Sequence, residues 1–170
     1  MARRKSNGGP TAEELDHYRK LAAEQPKIRV KIKKLHANSV IPTYSHNGDA
    51  CMDVTAVSAR VVEESGYGYI EFDSGLAFEI PEGYTMLCFP RSSISDTGMI
   101  LSNSVGVVDS GYRGAVKARF KYIKDSKAYG IGDRIFQIMI IPYPTVEFEE
   151  VDELSESTRN SGGFGSTNPK

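Results

Sequence analysis

Metal-ligating side chains are scarce in this sequence, and those present are scattered. Cys51 and Cys88 are the two cysteines, and neither has a zinc-type spacing or a histidine cluster beside it. The three histidines, His17, His36 and His46, share no motif. A metal centre built from His or Cys is therefore not expected. The two cysteines read as buried thiols of a reducing compartment, the cytoplasm. Net charge is lacking too: 21 Lys and Arg against 22 Asp and Glu leave −1. That balance gives no global electrostatic case for binding nucleic acid or a membrane surface. No apolar run approaches the ~18 residues that span a bilayer. No apolar stretch follows Met1-Ala-Arg-Arg-Lys5, so a secretory signal is not expected. There is no internal repeat, and 170 residues are expected to form one domain.

Helical signals are almost confined to the N-terminal extension, residues 1–26. Residues 1–10 are basic and then Gly/Pro-rich, and are expected to be disordered. Thr11-Ala-Glu-Glu14 has the form of a capping box, with Leu15, Tyr18, Leu21 and Ala22 on one face of a short helix that ends before Pro26. Everything after it reads as β. Residues 28–35 alternate apolar and basic, as a half-buried strand does. Further short strands are expected at 52–57, 60–62, 68–72, 76–80 and 84–89, separated by Gly, Ser, Asp and Pro clusters. Residues 115–122 alternate, with Val116, Ala118, Phe120 and Tyr122 facing one way and Lys117, Arg119 and Lys121 the other. The dense apolar run 134–141, ended by Pro142, predicts a strand buried on both faces. Residues 146–151 suggest one more. Many short, evenly spaced strands argue for a sandwich, jelly roll or barrel spanning 27–152.

Four segments of this β region carry side chains suited to chemistry. In His46-Asn-Gly-Asp-Ala-Cys-Met-Asp53, two acids flank a turn-to-strand step, which is equally the pattern of an ordinary Asx turn. Pro90-Arg91-Ser92-Ser93 places a guanidinium and two hydroxyls at a strand end, suited to phosphate oxygens or simply to a solvated turn. In Asn103-Ser-Val-Gly-Val-Val-Asp109-Ser-Gly-Tyr112, an amide and a carboxylate bracket a small apolar hairpin or strand. An amide can satisfy both donor and acceptor on a pyrimidine edge. Asp109 stands where an apolar strand enters a tight turn, a place where it is expected to be half-buried and to take a proton from water. Tyr112 offers a flat face for a sugar. The same segment also reads as a plain hairpin with an Asp-Ser-Gly turn. Finally, Gln137 interrupts the apolar run 134–141, and a buried amide must be bonded, to protein or to ligand.

The C-terminal arm, residues 153–170, contains Arg159-Asn-Ser-Gly-Gly-Phe164-Gly165-Ser166-Thr167. It has too little apolar surface to fold alone. Its glycines let a backbone approach a ligand, the arginine suits phosphate, and the ring suits stacking on a base. It reads both as a mobile arm that closes over a phosphate chain and as a flexible Gly/Ser tail.

Taken together and in this order, the four segments and the tail resemble the five motifs of the trimeric dUTP pyrophosphatase (dUTPase) family. The resemblance covers about residues 28–168. Its specific parts are 103–114 and 159–167, since Pro-Arg-Ser-Ser is shared with the dCTP deaminases. The resemblance implies an all-β, dUTPase-like β jelly roll of the β-clip type. It implies a homotrimer in which the C-terminal arm is exchanged and closes a neighbouring active site. It also implies hydrolysis of dUTP to dUMP and pyrophosphate, which keeps uracil out of DNA and supplies dUMP for thymidylate synthesis. Asp109 would then be the general base for a water attacking the α-phosphorus. Asn103, with backbone groups of Val105, Gly106 and Val108, would take the uracil, and Tyr112 would pack under the deoxyribose. Arg91, Ser92, Ser93 and Gln137 would hold the phosphates, with Ser92 and Gln137 near the reacting bond. Arg159 would meet the γ-phosphate, Phe164 would stack on uracil, and Gly165, Ser166 and Thr167 would close over the phosphates. Mg²⁺ would be held mainly by the substrate, with Asp53 reached through water. The sequence departs from the family pattern at Cys51, Phe136, Asn160 and Asn168. The alternatives are a dCTP deaminase of the same fold, bifunctional or not, and a non-catalytic nucleotide-binding jelly roll. The setting expected for any of them is the cytoplasm, or host cytoplasm for a viral chain.

Overall fold

A computed structural model describes residues 11–13, 15, 16, 27–64 and 67–161. Ala12, Glu13, Leu15 and Asp16 are helical, and the Leu15 N–H bonds the Thr11 carbonyl at 2.9 Å, the first backbone bond of an α-helix. Tyr18, Leu21 and Ala22, expected on that helix, lie outside the described residues. So do Phe164, Gly165, Ser166, Thr167 and Asn168.

Among the described residues ten strands follow: β1 Lys31–Lys34, β2 Met52–Thr55, β3 Ser58–Glu64, β4 Tyr67–Asp73, β5 Leu76–Glu79, β6 Tyr84–Pro90, β7 Met99–Leu101, β8 Gly106–Val108, β9 Lys117–Tyr122 and β10 Arg134–Pro142. They form three antiparallel sheets, ordered β1-β5, β2-β10-β6-β8 and β3-β4-β9-β7. Among the described residues, no helix is long and apolar enough to cross a membrane.

Side-chain alternation decides which face is buried. In β9, Ala118 and Phe120 point inward, while Lys117, Arg119 and Lys121 are exposed. Phe72, Phe120 and Phe136 are almost fully buried, and Phe72 meets Phe120 edge to face with centroids 5.8 Å apart. Leu76, Met86, Ile135 and Ile138 fill the space around them. Buried Ser74 donates to the Val116 carbonyl at 2.6 Å and accepts from the Leu76 N–H at 3.2 Å, so its hydroxyl is satisfied.

Two strand expectations need correction. Strand β10 is not buried on both faces: Gln137, Met139, Ile140 and Ile141 are only half-buried, because the described residues leave its second face partly uncovered. Residues 146–151 form no strand. They are exposed, Phe148 to 92%, since no neighbouring strand of the same chain offers them an edge.

A bulge in β10 sets up the site. Arg134 lies opposite Thr55 and Phe136 opposite Val54, so two steps on β10 answer one step on β2. Ile135 and Phe136 therefore both turn into the core, each at 0% exposure. Gln137 is then placed opposite Asp53 on one side and Phe89 on the other.

The outer face of the β3-β4-β9 ladder carries a buried acid. Glu71 accepts from Arg60 Nε at 3.0 Å and Arg119 Nε at 2.8 Å, with Lys117 Nζ at 3.5 Å. Burial by itself pushes the Glu71 carboxyl pKa up. Hydrogen bonds from Arg60 and Arg119 and the charge of Lys117 outweigh it, and the net shift is downward. A depressed pKa means the ion cluster contributes fully above the usual carboxyl value of 4.5 and is lost as pH falls through the folded value below it. Glu71→Gln is expected to cost about 1–2 kcal/mol at pH 7, because the three cations are themselves well exposed. In thermal unfolding between pH 7 and 3, the gap between wild type and variant should narrow below pH 4.5.

Candidate functional site

The first half of the site collects at the end of β6. Proline at position 90 closes the strand, and Ser92–Asp96 then wind into a 3-10 turn with Ser92 exposed. The guanidinium of Arg91 is held on three sides: Nε donates to Asp53 Oδ1 at 2.7 Å, and Nη1 donates to Ser93 Oγ at 3.1 Å and to the Arg134 carbonyl at 3.2 Å. A guanidinium has five N–H donors. Those three bonds leave the two on Nη2 without a protein acceptor among the described residues, a fork suited to an anion. Arg134 Nη1 donates to Asp53 Oδ2 at 3.0 Å. Gln137 Nε2 donates to the Pro90 carbonyl at 2.9 Å, so this half-buried amide is satisfied by protein and braces the backbone just before Arg91.

Asp53 was expected near a metal. Each of its oxygens accepts from one guanidinium, an arrangement that does not fit direct ligation of a cation and leaves lone pairs for the contact through water that the sequence suggests. Among the described residues no group of three His, Cys, Asp or Glu could hold a metal ion. Asp53 is an anchor for Arg91.

The second half is an open pocket of ≈ 450 Å³ under the β8 hairpin. Asn103, Gly106, Val108, Asp109 and Tyr112 line it, and Cys88 forms part of its floor. Burial pushes the Cys88 thiol up to about 12, so it serves as an apolar surface. The hairpin is tightly wound: Ser104 has φ 60, and the Val105 N–H bonds the Asn103 carbonyl at 2.6 Å. Gly106 lets the strand close on β6. A Cβ there would stand 3.1 Å from Cys88 Cβ and 3.4 Å from Asn103 Nδ2. The Tyr112 hydroxyl donates to the Ala115 carbonyl at 3.1 Å, which lays the ring over Gly114. Arg113 Nη1 clamps the turn through the carbonyls of Ser110, at 2.6 Å, and Tyr112, at 3.0 Å.

The structure thus brings Asn103, Gly106, Val108, Asp109 and Tyr112 around one pocket, with Val105 in the same turn. It brings Asp53, Arg91, Ser93 and Gln137 together in a second cluster, with Ser92 beside it. Arg91, Ser92, Ser93 and Gln137 do not line the pocket of their own chain. Asp109 was expected to be half-buried but is exposed, because the outer side of the pocket is open. Arg159 lies in an exposed bend, and Asn160 beside it has φ 42, a region asparagine tolerates. Arg113, Tyr129 and Arg134 were missed in the sequence. Arg134, inside the fourth segment, had a signal: a charged residue that opens an apolar strand.

An amide, a carboxylate, an aromatic face and a guanidinium fork are the groups that take a base edge, a water, a sugar and phosphates. On an antiparallel β scaffold they define a nucleotide-binding jelly-roll protein. Comparison with known proteins narrows this. A dUTPase family model matches residues 37–168. The deoxyuridine 5'-triphosphate nucleotidohydrolase of Thermobifida fusca is 36% identical over 143 residues, covering 82% of this chain and 79% of the relative. That of Wolinella succinogenes is 35% identical over 147 residues, covering 85% and 97%. Among solved structures, a Staphylococcus bacteriophage 80alpha dUTPase with dUPNHPP superposes with a TM-score of 0.68 at 27% identity, covering 82% of this chain and 98% of that one. The chain belongs to the dUTPase family.

Proposed function

We propose that the protein hydrolyses dUTP to dUMP and pyrophosphate in the cytoplasm, at sites completed between the copies of a homotrimer. The observation that carries this reading is the hairpin pocket, where Asn103, Asp109 and Tyr112 converge on one open volume. Uracil pairs with Asn103 and the backbone of Val105, Gly106 and Val108, in a space too tight for a 5-methyl group. Tyr112 packs under the deoxyribose. Asp109 takes a proton from the water that attacks the α-phosphorus. Arg91, with Ser92, Ser93 and Gln137, holds the phosphates. Arg159, Phe164, Gly165, Ser166 and Thr167 close the site from the C-terminal arm. Mg²⁺ enters as part of the substrate, where it neutralises phosphate charge.

Two features support assembly. The pocket and the Arg91 cluster are separate in one protomer, which suits a site shared between copies. Residues 147–156 carry six acids and no basic residue, and they display Phe148, Val151 and Leu154 to solvent. Residues 27–34 carry five basic residues and no acid, beside an apolar groove of ≈ 510 Å³ lined by Ile28, Val30, Ile32 and Tyr44. The two are complementary in charge and in apolar surface.

The test supplies dUTP, dCTP and dTTP separately and follows pyrophosphate and ammonia. Pyrophosphate from dUTP alone is expected; ammonia from dCTP would establish the deaminase instead. Gly106→Ala probes the base site. The added methyl crowds Cys88 Cβ at 3.1 Å and forces the hairpin to shift against the base pocket, and the KM for dUTP should rise about tenfold in steady-state assays.

A further inference from the structure

We propose that Tyr129 is a positioning residue for triphosphate binding: its hydroxyl, acting through Ser93, fixes the guanidinium of Arg91. The inference rests on the reading of Arg91 as a phosphate ligand.

Tyr129 lies in the connection between β9 and β10 and is half-buried. Its ring meets Phe120 edge to face, with centroids 6.1 Å apart, and its N–H points at Met99 Sδ at 3.2 Å. The core therefore fixes the ring, and with it the place of the phenolic oxygen. Packing needs only the ring, and phenylalanine would fill the same space. The hydroxyl is spent on Ser93 Oγ at 2.9 Å. Ser93 Oγ in turn accepts from Arg91 Nη1 at 3.1 Å. A serine hydroxyl has one proton and two lone pairs, so Ser93 serves both neighbours at once.

The chain of contacts decides where Arg91 points. A free serine hydroxyl has three staggered positions. Tyr129 selects one of them, and that one completes the three-sided hold on the guanidinium made with Asp53 and the Arg134 carbonyl. The Nη2 hydrogens are then aimed before substrate arrives, and the entropy of ordering a long side chain is not charged against binding.

Tyr129→Phe removes the hydroxyl and keeps the packing. Its KM for dUTP is expected to rise about 3- to 10-fold, the range one hydrogen bond is worth, with kcat and the unfolding midpoint little changed. Inhibition by deoxyuridine, which has no phosphate, should be unaffected. Ser93→Ala, which also takes a hydroxyl from the phosphate side, should raise the KM for dUTP at least as much, and the double variant should be no worse than Ser93→Ala alone. A wild-type KM in Tyr129→Phe, equal weakening of dUTP and deoxyuridine, or additive losses in the double variant would overturn the proposal. Arg91→Lys separates the two layers, because a lysine cannot reproduce the fork. If Arg91→Lys weakens dUTP and Tyr129→Phe does not, only the positioning role fails. If Arg91→Lys also binds dUTP normally, the phosphate reading of Arg91 fails and the proposal with it.

Discussion

Asp109→Asn is expected to bind a non-hydrolysable dUTP analogue with near-wild-type affinity and to turn dUTP over at least about a thousandfold more slowly, as loss of the base and of water positioning combine. The position explains the separation of effects. Asp109 follows β8 directly, at the rim of the pocket, while Gly106 opens that strand and Asn103 lies in the turn before it. The Asp109 carbonyl accepts the Tyr112 N–H at 3.1 Å, a backbone bond that asparagine keeps. The exchange therefore leaves the turn and the base-binding end in place and removes only the negative charge. Calorimetric titration with the analogue and single-turnover hydrolysis give the two numbers. Retention of turnover within tenfold of wild type would assign the base elsewhere.

The second large effect is expected from the C-terminus. A chain ending at Ser157 should fold, assemble and lose hydrolysis by about a hundredfold or more, the scale of losing a closure that orients the reactants. The fold tolerates the cut for a plain reason. Among the described residues, β10 ends at Pro142 and every residue from 142 to 161 is exposed. Among the described residues the cut removes, 158–161, every one is exposed. Circular dichroism, sedimentation and a pyrophosphate assay test the three parts separately. A truncated enzyme of full activity would remove the arm from the mechanism, and an unfolded one would make it part of the fold.

Much of the architecture was legible because β structure writes a period of two into its side chains. Residues 117–122 show it without interruption, and β9 follows it residue by residue. Strands of three residues carry no such period. Met99–Leu101 in β7 was missed, and Gly106–Val108 in β8 was left as hairpin or strand. Residues 146–151 show the converse failure. Their apolar spacing is real, but a strand needs a partner edge, and sequence does not say whose. The hairpin residues were legible because one short segment holds them. The Arg91 cluster was not, since all its bonds but that of Arg91 to Ser93 join positions 36 to 81 residues apart, as in Ser93 to Tyr129 and Arg134 to Asp53. The two guanidinium partners of Asp53 were hidden for the same reason: a carboxylate's partner is decided by strand register.

The extra residue in β10 also marks a place where that strand can lose a residue without changing register. Take out Ile135 and the pairings on its two sides become continuous: Arg134 stays opposite Thr55, Phe136 opposite Val54 and Gln137 opposite Asp53. What is lost is one core side chain, since Ile135 is at 0% exposure. A deletion past Phe136 acts differently, because a one-residue slip turns every later side chain to the other face. Engineers who shorten or graft the loop before β10 have to keep Tyr129 and the Gly130–Asp133 turn, which are bonded to Ser93 and to Ala56.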